Sequence, residues 1–261
     1  MDFKDKKVWI TGASSGIGEA LTYKFSKLGA KLIISSRRFA ELQRVKSACA
    51  NPSMVDIVPI DLEKYEDIAQ IVTPVLKRVG NIDILVNNGG ASQRALVADE
   101  DLKVVERMMK INFMGAAALT KVILPGMLEQ KSGHIVCLSS LAGKFGIPLR
   151  SGYAAAKHAL HGFFETLRAE NYDNGIRVLM VCPGYINTNV AINALAANAE
   201  KPKNSRLFIS FSFLFQRHIL MPGTPLIASS NRPISARSAS RTESAYDTYF
   251  PPDDTLPTAS G

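Results

Sequence analysis

Short apolar runs and longer amphipathic stretches alternate through most of the chain. Residues 7–10, 31–35, 55–60, 83–86, 134–138 and 177–182 are apolar runs with the length and the Val and Ile content of buried strands. Between them, residues 17–28, 41–50, 68–79, 102–128 and 154–171 repeat apolar positions every three or four residues, as a helix does when it buries one face. Strict alternation predicts six parallel strands joined by right-handed crossovers, with helices on both faces of the sheet. This is a doubly wound α/β fold of the Rossmann type, whose ligand crevice opens at the carboxyl ends of the strands. Candidate chemistry is therefore sought immediately after each strand.

The pattern changes after residue 198. Across residues 222–261, Pro, Ser and Gly supply 15 of 40 residues. Neither period survives there, which predicts loop or disorder. The chain thus divides into one α/β domain, residues 1–198, and an atypical irregular tail, residues 199–261. A length of 261 residues, 46% of them hydrophobic, is enough for one large core. Cys49, Cys137 and Cys182 are far apart in apolar surroundings and predict reduced core thiols, with no disulfide and no zinc site. The first apolar run carries no cleavage site after it, so no signal peptide is expected and the address is cytoplasmic. No uninterrupted apolar run reaches the length of a membrane span. The longest, residues 207–215, is broken by Ser210 and Ser212 and suggests at most a peripheral membrane contact. The net charge of +8 is spread along the chain without a basic block, which argues against nucleic-acid binding and for a surface attracting an anionic cofactor.

After the first strand comes Thr11-Gly12-Ala13-Ser14-Ser15-Gly16-Ile17-Gly18, a glycine-rich turn opening directly into a helix. Glycines let the backbone approach a pyrophosphate, and the helix start offers it unpaired N–H groups with a partial positive charge. After the second strand stand Ser35, Ser36, Arg37 and Arg38, with no acid for a ribose 2′-hydroxyl. A guanidinium there can instead grip the 2′-phosphate of NADP, with Arg37 the first choice and Arg38 the second.

Further along, Tyr153 and Lys157 stand four residues apart and so share one helix face. A free phenol is a reluctant acid or base at neutral pH, and a cation beside it favours the phenolate. Upstream, Ser139 and Ser140 end the fifth strand, where a hydroxyl can donate to a substrate oxygen. Asn112 lies inside a helix, an unfavourable place for asparagine unless it bonds something. His158 and His161 have no carboxylate or cysteine at ligand spacing, so they predict packing or surface roles and no metal site.

The TGxxxGxG turn, followed in order by these elements, resembles the short-chain dehydrogenase/reductase family over residues 5–195. The stretches Asn88-Gly89-Gly90-Ala91-Ser92-Gln93-Arg94 and Pro183-Gly184-Tyr185-Ile186-Asn187-Thr188-Asn189 are similar to its dehydrogenase/reductase member-seven branch. The resemblance implies hydride transfer between NADP(H) and a carbonyl or secondary alcohol. Tyr153 is the implied acid–base group, Lys157 its partner, Ser140 rather than Ser139 the orienting hydroxyl, and Asn112 part of a proton relay. It places Asp61, with Leu62, at the adenine, and identifies Asn88, Gly89 and Gly90 with the family's NNAG, Gly89 standing for alanine. It assigns Pro183, Gly184, Ile186 and Thr188 to the nicotinamide carboxamide. The implied substrate is a small-molecule carbonyl or alcohol, with a lipophilic one as an option, and the implied assembly is a homodimer. Residues 199–261 do not match the family's substrate-covering segment, seventh strand and last helix. A catalytically impaired nucleotide-binding protein is therefore the alternative reading.

Overall fold

A computed structural model describes residues 2–184 of the chain. The expectations placed on the tail, on a seventh strand, and on Ile186 and Thr188 lie outside these residues. In chain order the elements are β1 (Lys7–Thr11), α1 (Gly16–Lys27), β2 (Lys31–Ser35), α2 (Phe39–Ser47), β3 (Val55–Ile57), α3 (Ile68–Val79), β4 (Ile84–Asn87), α4 (Leu102–Met109), α5 (Gly115–Glu129), β5 (Gly133–Leu138), α6 (Ser151–Glu170) and β6 (Ile176–Val181). The six strands form a parallel sheet in the order β3-β2-β1-β4-β5-β6. The doubly wound expectation holds, and the order reverses between β1 and β4, where the crevice opens.

Alternate residues of each strand feed opposite faces. Trp9, Ile33, Leu85, Ile135 and Cys137 pack with Val72 of α3, Leu119 and Ile123 of α5, and Leu160 and Phe164 of α6. Val8, Ile10, Leu32, Ile34 and Val86 pack on the other face with Leu42 and Val45 of α2. Both faces are covered, so the strands read as continuous apolar runs instead of alternating ones. Cys49 and Cys137 are buried, Cys182 is half-buried, and all three are free. Burial raises each thiol, that of Cys137 to about 12, which keeps it protonated at neutral pH.

Three departures from the sequence pattern are local. The regular third strand ends at Ile57 and does not reach residue 60, although the chain continues beside β2 through Pro59. Val58 and Ile60, on either side of it, still donate to Ile34 and Ser36 carbonyls at 3.0 and 3.2 Å. The single helix expected over residues 102–128 is interrupted by a π-helical turn, Lys110–Met114, between α4 and α5. Thirdly, the helical run Leu102–Glu129 is long and apolar enough to cross a membrane by length and composition, with half of its most apolar window buried in the fold. Counting uninterrupted apolar runs missed it, and a core helix passes the same test.

Candidate active site

β1 delivers the chain into the glycine turn with little room to spare. Gly12 and Gly16 adopt positive φ, +67° and +59°, which side chains rarely tolerate. A Cβ on Gly12 would lie 2.8 Å from both Asn88 Nδ2 and Gly89 Cα, and one on Gly18 would lie 2.4 Å from the Gly12 carbonyl oxygen. The turn is clamped to the end of β4. Asn88 Nδ2 donates to the carbonyls of Thr11 and Gly12 at 2.9 and 3.3 Å, while Thr11 Oγ1 accepts from the N–H groups of Asn88 and Gly89 at 3.0 and 2.9 Å. Ser15, the residue before α1, makes no side-chain cap, so its own side chain does not occupy the helix start.

Arg37 and Arg38 both line the cleft beside this turn. It is Arg38, the second choice by sequence, that the structure ties to it: Nη2 donates to Ser14 Oγ at 3.0 Å and Ser15 Oγ at 3.2 Å. Arg44 backs the same turn, bonding Glu19 at 2.8 Å and reaching the Ser14 carbonyl at 3.5 Å. That guanidinium holds the Glu19 carboxyl below its usual range. Asp61 and Leu62 line the cleft after β3.

At the other end, Tyr153 and Lys157 occupy the first two turns of α6. Lys157 is buried, and its ammonium donates to the Leu138 carbonyl at 2.7 Å while lying 5.6 Å from the centre of the Tyr153 ring. The two candidate serines separate by geometry. Ser139 is buried and donates to the Lys157 carbonyl at 3.3 Å, so its hydroxyl is committed to holding β5 against α6. Ser140 is half-buried and accepts from the Ala142 N–H at 3.2 Å, which leaves its proton free to be donated into the cleft it lines.

Asn112 sits in the π-helical turn, buried. Its Oδ1 accepts from the Ala91 N–H at 3.1 Å, and its Nδ2 donates to the Met108 carbonyl at 3.0 Å. The extra residue of a π turn rotates the helix face, a feature frequent at functional sites. A Cβ on Gly90 would lie 2.6 Å from Asn112 Oδ1 and 3.8 Å from Lys157 Nζ, so this glycine keeps open the gap between them.

One cleft of about 650 Å³ joins both ends. It is lined by Thr11, Gly12, Ser14, Ser15, Gly16 and Ile17, by Asn88, Gly89 and Gly90, and by Asn112, Ser140, Tyr153, Lys157, Pro183 and Gly184. Gly18 lies beneath the turn and keeps it close to Asn88. An uncapped helix start and a cradle that Cβ atoms would fill fit the pyrophosphate of a dinucleotide. Two polar residues were missed by sequence reasoning. Arg107 lines the cleft with its Nε bonded to Glu63 at 3.0 Å, and Gln93 is fully buried against the start of α6. Arg107 falls on a polar position of the periodic stretch 102–128, where a charged residue is ordinary, and Gln93 falls in a loop, so neither left a local signal.

The family model for short chain dehydrogenases matches residues 6–199. The human dehydrogenase/reductase SDR family member 7 is 46% identical over 207 residues, covering 77% of this chain and 61% of that protein. A Drosophila melanogaster protein 7-like relative is 44% identical over 200 residues, covering 75% and 61%. This chain thus spans about 61% of the length of these relatives. Among solved structures, a short-chain dehydrogenase from Streptomyces avermitilis aligns with TM-score 0.69 at 33% identity, over 74% of this chain and 70% of that one. ElxO with NADP bound aligns with TM-score 0.67 at 30% identity, over 70% and 75%. A Burkholderia phymatum homologue in complex with NAD aligns with TM-score 0.68 at 27% identity, over 78% and 72%.

Proposed function

This chain belongs to the short-chain dehydrogenase/reductase family, and we propose that it transfers a hydride between NADP(H) and a carbonyl or secondary alcohol, with Tyr153 as general acid and base. The observation that carries the proposal is convergence: Tyr153, Lys157, Ser140 and Asn112 share one cleft with the glycine turn and the uncapped start of α1. The preference for NADP rests on Arg38, fixed on Ser14 and Ser15 where an NAD-binding site would need an acid.

Bound nicotinamide supplies or accepts the hydride. In reduction, the Ser140 hydroxyl donates to the substrate oxygen as negative charge develops there. Tyr153 passes its proton to that oxygen. The Lys157 ammonium, anchored on the Leu138 carbonyl, stabilises the charge left on the phenol oxygen. Asn112, bonded to Ala91, holds the π-helical bend beside Lys157 from which water can return the proton. Leu141 and Ile147 line the cleft, and Leu96 and Phe145 are exposed large apolar residues. These features support a lipophilic small-molecule substrate.

The test is turnover of NADPH against NADH on quinones, steroids, retinoids and small ketones, by the wild type and Tyr153→Phe. The variant should lose at least about 100-fold in kcat, the range of a positioned acid–base group, while NADPH still raises its Tm. Turnover by the variant at the wild-type rate removes Tyr153 from the reaction.

A further inference from the structure

Between the cofactor end and α6 lies a polar network that the proposed chemistry leaves unused. Gln93, on the loop after β4, is fully buried. Its Oε1 accepts from the Tyr153 backbone N–H at 2.9 Å, and its Nε2 donates to Ser151 Oγ at 3.0 Å and to the Glu100 carboxylate. Ser151 Oγ in turn donates to the other oxygen of Glu100. The amide orientation follows from these partners, since an N–H can face only the oxygen and a carboxylate only the nitrogen. Packing is close as well: a Cβ on Gly152 would lie 2.7 Å from Gln93 Oε1 and 3.0 Å from Val105 Cα.

The start of α6 explains the need for this network. Arg150, the residue before the helix, makes no side-chain cap, yet the first N–H groups of a buried helix must find acceptors. Gln93 supplies one from a segment far away in sequence, and the Glu100 carboxylate adds negative charge at the positive end of the helix. The N–H it satisfies belongs to the residue whose side chain is the proposed acid. Three residues before Gln93 stands Gly90, against Asn112 and Lys157.

We infer that Gln93 and Glu100 are positioning residues: a capping pair, supplied in trans by the loop after β4, that fixes the Tyr153 backbone relative to Gly90, Asn112 and Lys157. The inference deepens the proposed function and rests on it for its kinetic consequence, though not for its structural content. The pair spans the junction between the nucleotide-binding strands and the catalytic helix. Loosening it should therefore act on kcat and spare cofactor affinity.

Kinetics and amide exchange test this together. Gln93→Leu keeps the volume and removes the acceptor and the donor. It should lose about 100-fold in kcat, the scale of an ångström-level misplacement, with KM for NADPH within about twofold of wild type. Gln93→Glu keeps the acceptor but sets two carboxylates together, and should be similarly impaired. Adding Glu100→Gln to it restores one donor and one negative charge, so that residue 100 now donates to residue 93 while Ser151 Oγ gives its single proton to one of two acceptors, and should return kcat to within about tenfold of wild type. Wild-type kcat in Gln93→Leu, or a double variant no better than Gln93→Glu alone, overturns the inference. If Gln93→Leu fails to fold, the comparison of Gln93→Glu with the double variant decides the matter alone. Hydrogen exchange at the Tyr153 amide needs no turnover: it should be faster in the single variants and protected again in the double. Unchanged protection overturns the cap, whereas intact turnover in Tyr153→Phe overturns only the proposed chemistry.

Discussion

The two ends of the cleft are built by opposite means. The cofactor end is made of backbone and of missing side chains: Gly12 and Gly18 remove Cβ atoms, and Asn88 fastens main chain to main chain. The end proposed for catalysis is made of side chains that reach across the fold, Asn112 to Ala91, Lys157 to Leu138 and Gln93 to Tyr153. A backbone cradle is encoded by a few consecutive residues and breaks when volume is added. A side-chain constellation is encoded by residues far apart and breaks when one bond is lost.

Three glycines sharpen that contrast. Gly18→Ala should be the most damaging, because its Cβ meets the Gly12 carbonyl at 2.4 Å and backbone cannot swing aside. Overpacking of about 1–3 kcal/mol corresponds to about 5–150-fold in affinity, read as a raised Kd for NADPH by titration. Gly90→Ala comes next. Its Cβ meets Asn112 Oδ1 at 2.6 Å, and a displaced amide should cost about tenfold in kcat while most of the NADPH-induced rise in Tm survives. Gly89→Ala should be the mildest, within about twofold in both kcat and Kd, because its one severe clash, at 2.5 Å, is with Leu62 Cδ1, the far end of a flexible side chain, while Thr11 Oγ1 at 3.3 Å and the Gly12 nitrogen at 3.4 Å need give only slightly. A Gly89→Ala variant as damaged as Gly18→Ala would mean that volume alone, and not backbone proximity, governs the cofactor end.

The same contrast decides what was legible in the sequence. The sheet was readable because each strand is a continuous apolar run, and the glycine turn because its constraint is local. Tyr153 and Lys157 were readable because helical spacing puts them together. What the sequence left open or missed is of the other kind. Both Arg37 and Arg38 line the cleft, and that Arg38 meets Ser14 and Ser15 follows from how the chain turns after β2, which no pattern displays. The π-helical turn at Asn112 left the apolar repeat of residues 102–128 looking unbroken. Gln93 carried no sign of its burial, since its partners Glu100, Ser151 and Tyr153 come together only in the folded chain.

The reversal of strand order has a consequence in time as well as in space. As the chain leaves the ribosome, β1 can pair with β2 almost at once, but its other neighbour, β4, emerges only after two more helices and a further strand. Until then the edge of β1 is open, and the glycine turn lacks Asn88 to clamp it. Parallel pairings with long closures form slowly, so the nascent chain passes through an interval with its nucleotide cradle half built. The clamp that Asn88 places on the glycine turn thus depends on the docking of β4, so the cradle is complete only once both halves of the sheet are joined.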